Sequence, residues 1–195
     1  MSLSCVFRRV LIAAGIAFCV SCPIYADVVV SAGSASALTG QIVSVPINVS
    51  GVLDLYAYEF DVSFNPAIVQ LQNITEGPFL AGAGTTFFGP GTIDNTAGTA
   101  VFTFDTLIGP IGGAAGSGTL ANFSFLPIAL GTSPVSLANV ILLDSSLNIL
   151  PVTTSDGVIT VTPEPSVSGI CALALFLLAL TVAPLQRRWK ARARS

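Results

Sequence analysis

Tyr56–Pro66 reads YAYEFDVSFNP. Tyr56, Tyr58, Phe60, Val62 and Phe64 occupy every second position, with Ala57, Glu59, Asp61 and Ser63 between them. Side chains alternate across a strand with period two, so the pattern predicts a strand with one apolar and one polar face. Asn65-Pro66 then favours a turn. Upstream, Val43, Val45, Ile47 and Val49 alternate with Ser44, Pro46 and Asn48. Pro46 has no N–H for a ladder, which predicts an edge strand or a bulge there. Further strands are expected in TAVFTFD (Thr99–Asp105), TLANFSF (Thr119–Phe125), SPVSLANVILL (Ser133–Leu143) and GVITV (Gly157–Val161). No amphipathic helix pattern interrupts them. Short strands separated by Gly, Pro and Asn predict an all-β fold, an antiparallel sandwich or jelly roll.

Charge divides the chain sharply. Nine of the ten acidic residues and none of the seven basic ones lie between Asp27 and Thr162, a formal charge of −9 without a histidine. Nucleic-acid binding needs Lys and Arg against phosphates, so that class is excluded. An all-acidic surface favours cations or basic partners and keeps an apolar, Gly-rich domain dispersed. Cys5, Cys19, Cys22 and Cys171 all fall outside this segment, which therefore has no disulfide available to it.

The two ends read as targeting segments. Arg8 and Arg9 precede the apolar VLIAAGIAFCV and then PIYA, the layout of a signal peptide over residues 1–26 with cleavage after Ala26. Acylation at Cys22 is disfavoured because the preceding residues lack the usual aliphatic position. Val167–Leu185 carries no charge; as a helix it spans about 28 Å, enough to cross a bilayer once. The basic tail behind it, Arg187 to Arg194, would remain on the cytoplasmic side. The domain expected to be exported is thus residues 27–162, followed by a segment over 163–195.

Three pieces in order, GQIVSVPINVSGVLDLYAYEFDVSFNPAIVQLQNI (Gly40–Ile74), GSGTLANFSF (Gly116–Phe125) and LLDSSLNILPVTTSDGVITV (Leu142–Val161), resemble a cohesin domain. The resemblance implies a jelly-roll sandwich of about nine strands, in a superfamily shared with carbohydrate-binding modules. Its best-known members dock the dockerin modules of secreted polysaccharide-degrading enzymes. It also implies a partner-binding role for the polar face of the Tyr56–Phe64 strand, with Glu59 at the position of an acid that accepts hydrogen bonds from the partner and Asp61 beside it. Two residues before Glu59 the chain has Ala57, where dockerin binders commonly carry a polar residue. The C-terminus resembles a PEP-CTERM sorting signal: Pro163, Glu164 and Pro165, one span, and an Arg-rich tail. That resemblance implies an exosortase-type sorting enzyme as a partner, in a Gram-negative bacterium that makes exopolysaccharide. The expected route is a precursor anchored in the inner membrane by its C-terminal helix, then the cell surface or extracellular matrix. Physically, the two prolines keep the site extended and outside the helix.

Catalytic machinery is sparse. Without His, and with Cys confined to the ends, Ser-His-Asp and Cys-His catalysis and His- or Cys-based zinc sites are unavailable. GPIGGAAGSG (Gly109–Gly118) lacks the Lys of a phosphate loop and reads as a flexible surface loop. Glu59 and Asp61 share a strand face with backbones about 7 Å apart, compatible with an inverting glycosidase pair, but a solvated strand face explains them more simply. No DxDxDG loop occurs; Asp94, Asp144 and Asp156 would have to meet at one end of the sandwich to bind calcium. No cofactor and no high-affinity metal site is expected, with weak calcium binding at most. Sequons at Asn48, Asn73 and Asn122 are incidental in a bacterial context.

The function these features support first is an exported, non-catalytic binding or matrix protein, whose domain takes exopolysaccharide or another carbohydrate, or a secreted protein module. The alternatives are a dockerin-binding cohesin that anchors polysaccharide-degrading enzymes, and a small polysaccharide-active enzyme using Glu59 and Asp61.

Overall fold

Residues 27–163 are described by the computed structural model. The expected signal peptide with Ala26, the Glu164-Pro165 part of the expected sorting motif, the expected span over 167–185 and the basic tail lie outside the described residues. Pro163 is exposed just past the last strand. In chain order the elements are β1 (Val29–Ala32), β2 (Ala35–Leu38), β3 (Val43–Leu55), β4 (Ala57–Phe64), β5 (Val69–Glu76), a one-turn helix α1 (Pro78–Ala81), β6 (Thr86–Gly89), β7 (Thr92–Asp94), β8 (Thr99–Leu107), β9 (Ala114–Pro127), β10 (Gly131–Leu143), β11 (Thr153–Ser155) and β12 (Gly157–Thr162).

Two sheets form a sandwich. The smaller has the order β11-β1-β3-β9-β5; the larger has β2-β12-β10-β4-β8-β6, with β7 paired to β8. The expectation of a purely antiparallel fold needs correcting, because β1 pairs with β11 and β2 with β12 in parallel. The first segment of the domain divides between the sheets at Gly33-Ser34, and the last segment follows it in both. That crossing is tight: a Cβ on Gly157 would lie 2.0 Å from the Gly33 carbonyl oxygen. The same division accounts for twelve strands rather than about nine, since β1 and β2, and likewise β6 and β7, are bent halves of one run, and β11 has three residues.

The strand that opened the sequence reading behaves as expected. Tyr58, Phe60, Val62 and Phe64 of β4 are buried, while Glu59 and Asp61 are half-buried on the opposite face. Asn65 makes the turn, its side-chain oxygen accepting from the Ala67 N–H at 3.0 Å. Across the sandwich the β4 rings meet those of β9: Phe60 lies 6.2 Å from Phe123, and Phe64 packs edge-on to Phe125 at 5.3 Å. These aromatic pairs supply both burial and a preferred geometry. Tyr58 adds a polar tie between sheets, its hydroxyl donating to the Leu120 carbonyl at 2.6 Å.

Two local expectations change. Pro46 is on no edge: β3 runs between β1 and β9. Its carbonyl accepts from Gly33 N–H, beyond the end of β1, so the missing donor faces a place where pairing has stopped, and the β3–β9 register shifts at the neighbouring Ile47/Asn48 step. The Gly109–Gly118 stretch is a loop only in its first half. From Ala114 it is strand, because β3 continues to Leu55 and templates it: Leu55 opposes Ala114 and Val52 opposes Gly116. Side-chain composition favoured a loop there; backbone pairing with a long neighbour decided otherwise.

Candidate functional site

Glu59 and Asp61 project from β4 onto the outer face of the larger sheet, with β8 on one side and β10 on the other. They do different things. Glu59 lies between Phe104 of β8 and Ile141 of β10 in the pairing register. Asp61 is fully engaged: one carboxylate oxygen accepts from the Phe102 backbone N–H at 2.7 Å, the other from the Asn139 side-chain amide at 2.7 Å. A carboxylate committed to two structural donors is poorly placed to act as the second member of a glycosidase pair.

Both residues bound by Asp61 sit at bulges. Phe60 opposes Thr103 and Val62 opposes Ala100, so Asp61 faces two β8 residues, Val101 and Phe102. On the other side Asp61 opposes Ala138 and Glu59 opposes Ile141, so Phe60 faces both Asn139 and Val140. Phe102 (φ 61°) and Asn139 (φ 51°) adopt left-handed backbone conformations. Asn tolerates that region, whereas for Phe it is an outlier that needs support from its surroundings.

An extra residue in a strand reverses the face of everything beyond it. Along β10, Ser133 and Val135 point inward, yet after the bulge it is Leu142 that is buried and Ile141 that is 40 % exposed. Along β8, Ala100 is buried, and after the bulge Thr103, Asp105 and Leu107 face the core while Phe102 and Phe104 face out. The outcome is an uncovered aromatic face. Phe102 is 54 % and Phe87 of β6 60 % exposed, with ring centres 5.1 Å and 5.8 Å from Phe104. Gly89 makes room for this arrangement, since a Cβ there would lie 2.2 Å from the Phe104 ring. Between Glu59, Phe102, Phe104 and Ile141 runs a shallow groove of about 170 Å³. That is below the range of about 300–1,000 Å³ typical of small-molecule pockets and suits a single anchoring side chain.

Sequence reasoning singled out Glu59 and Asp61 and did not name the aromatic and aliphatic residues around them. Read as unbroken alternation, TAVFTFD sends its two phenylalanines to one face and leaves open which face is inside. Asp105, two residues along from Thr103, points to the wrong answer, since a carboxylate is costly inside and is nevertheless there, 1 % exposed.

Asp54, Asp94, Asp144 and Asp156 are occupied locally. Asp94 accepts from the Thr96 and Ala97 backbone, which lowers its pKa, and the Asn148 side chain and backbone do the same for Asp144. Asp156 accepts from Leu137 N–H at 3.0 Å. Asp54 is lowered chiefly by the Ser145 hydroxyl at 2.6 Å. Asp94, Asp144 and Asp156 do not come together: among the described residues no three acidic, His or Cys side chains form a group able to hold a metal.

The sandwich has well-defined relatives among solved structures. A non-cellulosomal cohesin from the archaeon Archaeoglobus fulgidus superposes with a TM-score of 0.58 at 16 % identity, covering 70 % of this chain and 92 % of that one. The third cohesin of ScaC from Acetivibrio cellulolyticus, solved in complex with the ScaB dockerin, matches with a TM-score of 0.57 at 23 % identity, over 69 % of this chain and 98 % of that one. The sixth cohesin of the same organism's scaffoldin B, in complex with a Cel5 dockerin, gives 0.60 at 18 % identity, over 70 % and 100 %. At these identities the likeness concerns the fold. Among curated proteins none matches the chain. The cohesin domain model matches residues 28–161, well over half of the chain and almost all of the described sandwich, and the chain therefore belongs to the cohesin domain family.

Proposed function

We propose that this protein is an exported cohesin that docks a dockerin-type module of a secreted protein on the outer face of its larger sheet, around Glu59. The observation that carries the reading is the uncovered aromatic and aliphatic face with one free carboxylate at its centre, on a family member whose solved relatives include cohesins held by dockerins. Contiguous exposed apolar area on a soluble domain marks an interaction surface. The groove is smaller than a small-molecule pocket and no planar sugar platform of Trp or Tyr surrounds Glu59, which favours a protein partner over polysaccharide.

Export and sorting belong to the same proposal. The signal peptide ending at Ala26, and Pro163, Glu164 and Pro165 ahead of the apolar span, support passage through the inner membrane, handling by an exosortase-type enzyme, and residence at the cell surface or in exopolysaccharide. The docked enzyme would be held there.

The test is a pull-down from the host's secreted fraction with the immobilised full chain, with calcium and with chelator. We expect a dockerin-bearing protein to be recovered, and Glu59→Lys to reduce its capture about tenfold or more, the scale of a lost central contact. Recovery of polysaccharide alone, or dockerin capture indifferent to Glu59→Lys, overturns the reading.

A further inference from the structure

We propose that Phe102 is the anchor of the docking face, that Asp61 is a positioning residue which holds it there without touching the partner, and that the partner segment presents an apolar side chain flanked by Lys or Arg. The inference rests on the docking reading above and deepens it.

Phe102 is the first ground. It is a large aromatic residue held at φ 61° and left half-exposed. A sequence under no constraint but folding would place Gly or Asn at such a position and would not leave the ring in water. Strain combined with exposure has a functional explanation: the ring is wanted on that surface.

Asp61 supplies the second. It is the single side chain that ties both bulges, one through each carboxylate oxygen. Those bulges reverse the phase of β8 and β10, so Phe102, Phe104 and Ile141 face outward as a consequence of what Asp61 holds. Both of its oxygens are committed inside the sheet, which leaves Glu59 as the face's available charge.

Partner chemistry follows from charge. Among the described residues every ionisable side chain other than tyrosine is acidic, and Lys, Arg and His are absent. A basic group beside the anchoring side chain gains Glu59 and the field of the whole domain, whereas an acidic one is repelled. The groove beside Phe102 and Phe104 takes the apolar side chain.

The experiment measures binding of the immobilised full chain to a short amphipathic helical peptide presenting Leu flanked by Lys, and to the same peptide with Glu in place of Lys. Thermal unfolding of each variant is recorded in parallel. The Lys peptide should bind saturably and the Glu peptide about tenfold or more weakly. Phe102→Asn, which tolerates the left-handed conformation, should lose about tenfold in affinity without lowering Tm, and Phe102→Tyr should bind like wild type. Asp61→Asn keeps an acceptor for the Phe102 N–H but removes the charge, so it should bind within a few-fold of wild type, while Asp61→Ala should lose binding. Equal losses in Asp61→Asn and Asp61→Ala would make Asp61 a direct charge contact and overturn its positioning role. Wild-type binding by Phe102→Asn, or equal affinity for the two peptides, overturns the anchor or the partner chemistry respectively. If Asp61→Ala fails to fold, Asp61→Asn and Phe102→Asn still decide. Capture of a dockerin-bearing protein that is unchanged in Phe102→Asn sinks this inference while the docking function stands; Phe102-dependent peptide binding without any dockerin partner does the reverse.

Discussion

Asp105 points from β8 into the sandwich beside Tyr58, and neither of its carboxylate oxygens has a hydrogen-bond partner. Burial first, and then the neighbouring Glu76 carboxylate, push its pKa up to about 7 from the ordinary 3.8. Glu76 is itself engaged by the Thr86 hydroxyl of β6 at 2.5 Å, and the Tyr58 hydroxyl is pushed upward by the same burial. The folded state therefore keeps a proton that the unfolded chain releases, so stability falls as pH rises from about 4 to about 7. Asp54, Asp94 and Asp144 act oppositely and in another window: their lowered pKa values stabilise the fold above the ordinary carboxylate range, and that contribution is lost as pH falls below it. Asp105→Asn should raise Tm at pH 8 by about 5 °C, and flatten the decline between pH 4 and 7. Thermal unfolding followed by circular dichroism across that range checks it; an unchanged pH profile would mean that Asp105 is solvated in solution. The same residue shows where the sequence misleads. Asp at the end of TAVFTFD looks like a polar strand terminus, and only the bulge at Val101–Phe102 turns it inward.

Strands β4 and β9 carry the joint between the sheets. Phe60, Phe123 and Phe125 are fully buried, and their rings run as a contiguous row across the interior, Phe60 tilted against Phe123 and Phe123 stacked on Phe125. Truncating Phe60 removes its burial and leaves a cavity that neighbouring strands cannot collapse into, because both are fixed by ladder bonds. Phe60→Ala should cost about 3–5 kcal/mol in urea unfolding with an unchanged denaturant dependence. A loss below about 1 kcal/mol would place the ring outside the core in solution. β4 itself was fully legible, since strict alternation over its eight residues has one consistent burial. β8 and β10 were legible as strands but not in phase, because the bulges that set their phase appear only in their pairing with β4, far from either in sequence. The Gly-rich start of β9 was illegible for a different reason: it has few side chains to form a pattern and is ordered by the backbone of β3.

For the whole molecule, the sandwich is an acidic platform between the two segments proposed to target it. If residues 163–195 sort the protein, deleting Pro163–Ser195 should shift it from the membrane or surface fractions to another compartment, measured by fractionation and immunoblotting. Unchanged distribution would remove the sorting proposal and leave the docking face untouched. What the sequence determined by itself was the all-β class, the cohesin resemblance, the alternation of β3 and β4, and the absence of basic residues between Asp27 and Thr162. Each of these is written in local pattern or composition, where neighbouring residues suffice. Tertiary structure decided which side of β8 and β10 meets water, that Pro46 lies inside a sheet, and that Asp61 is bound while Glu59 is free. Those outcomes depend on register between strands some forty to eighty residues apart. A one-residue bulge at such a pairing exchanges core and surface without altering the composition of either strand.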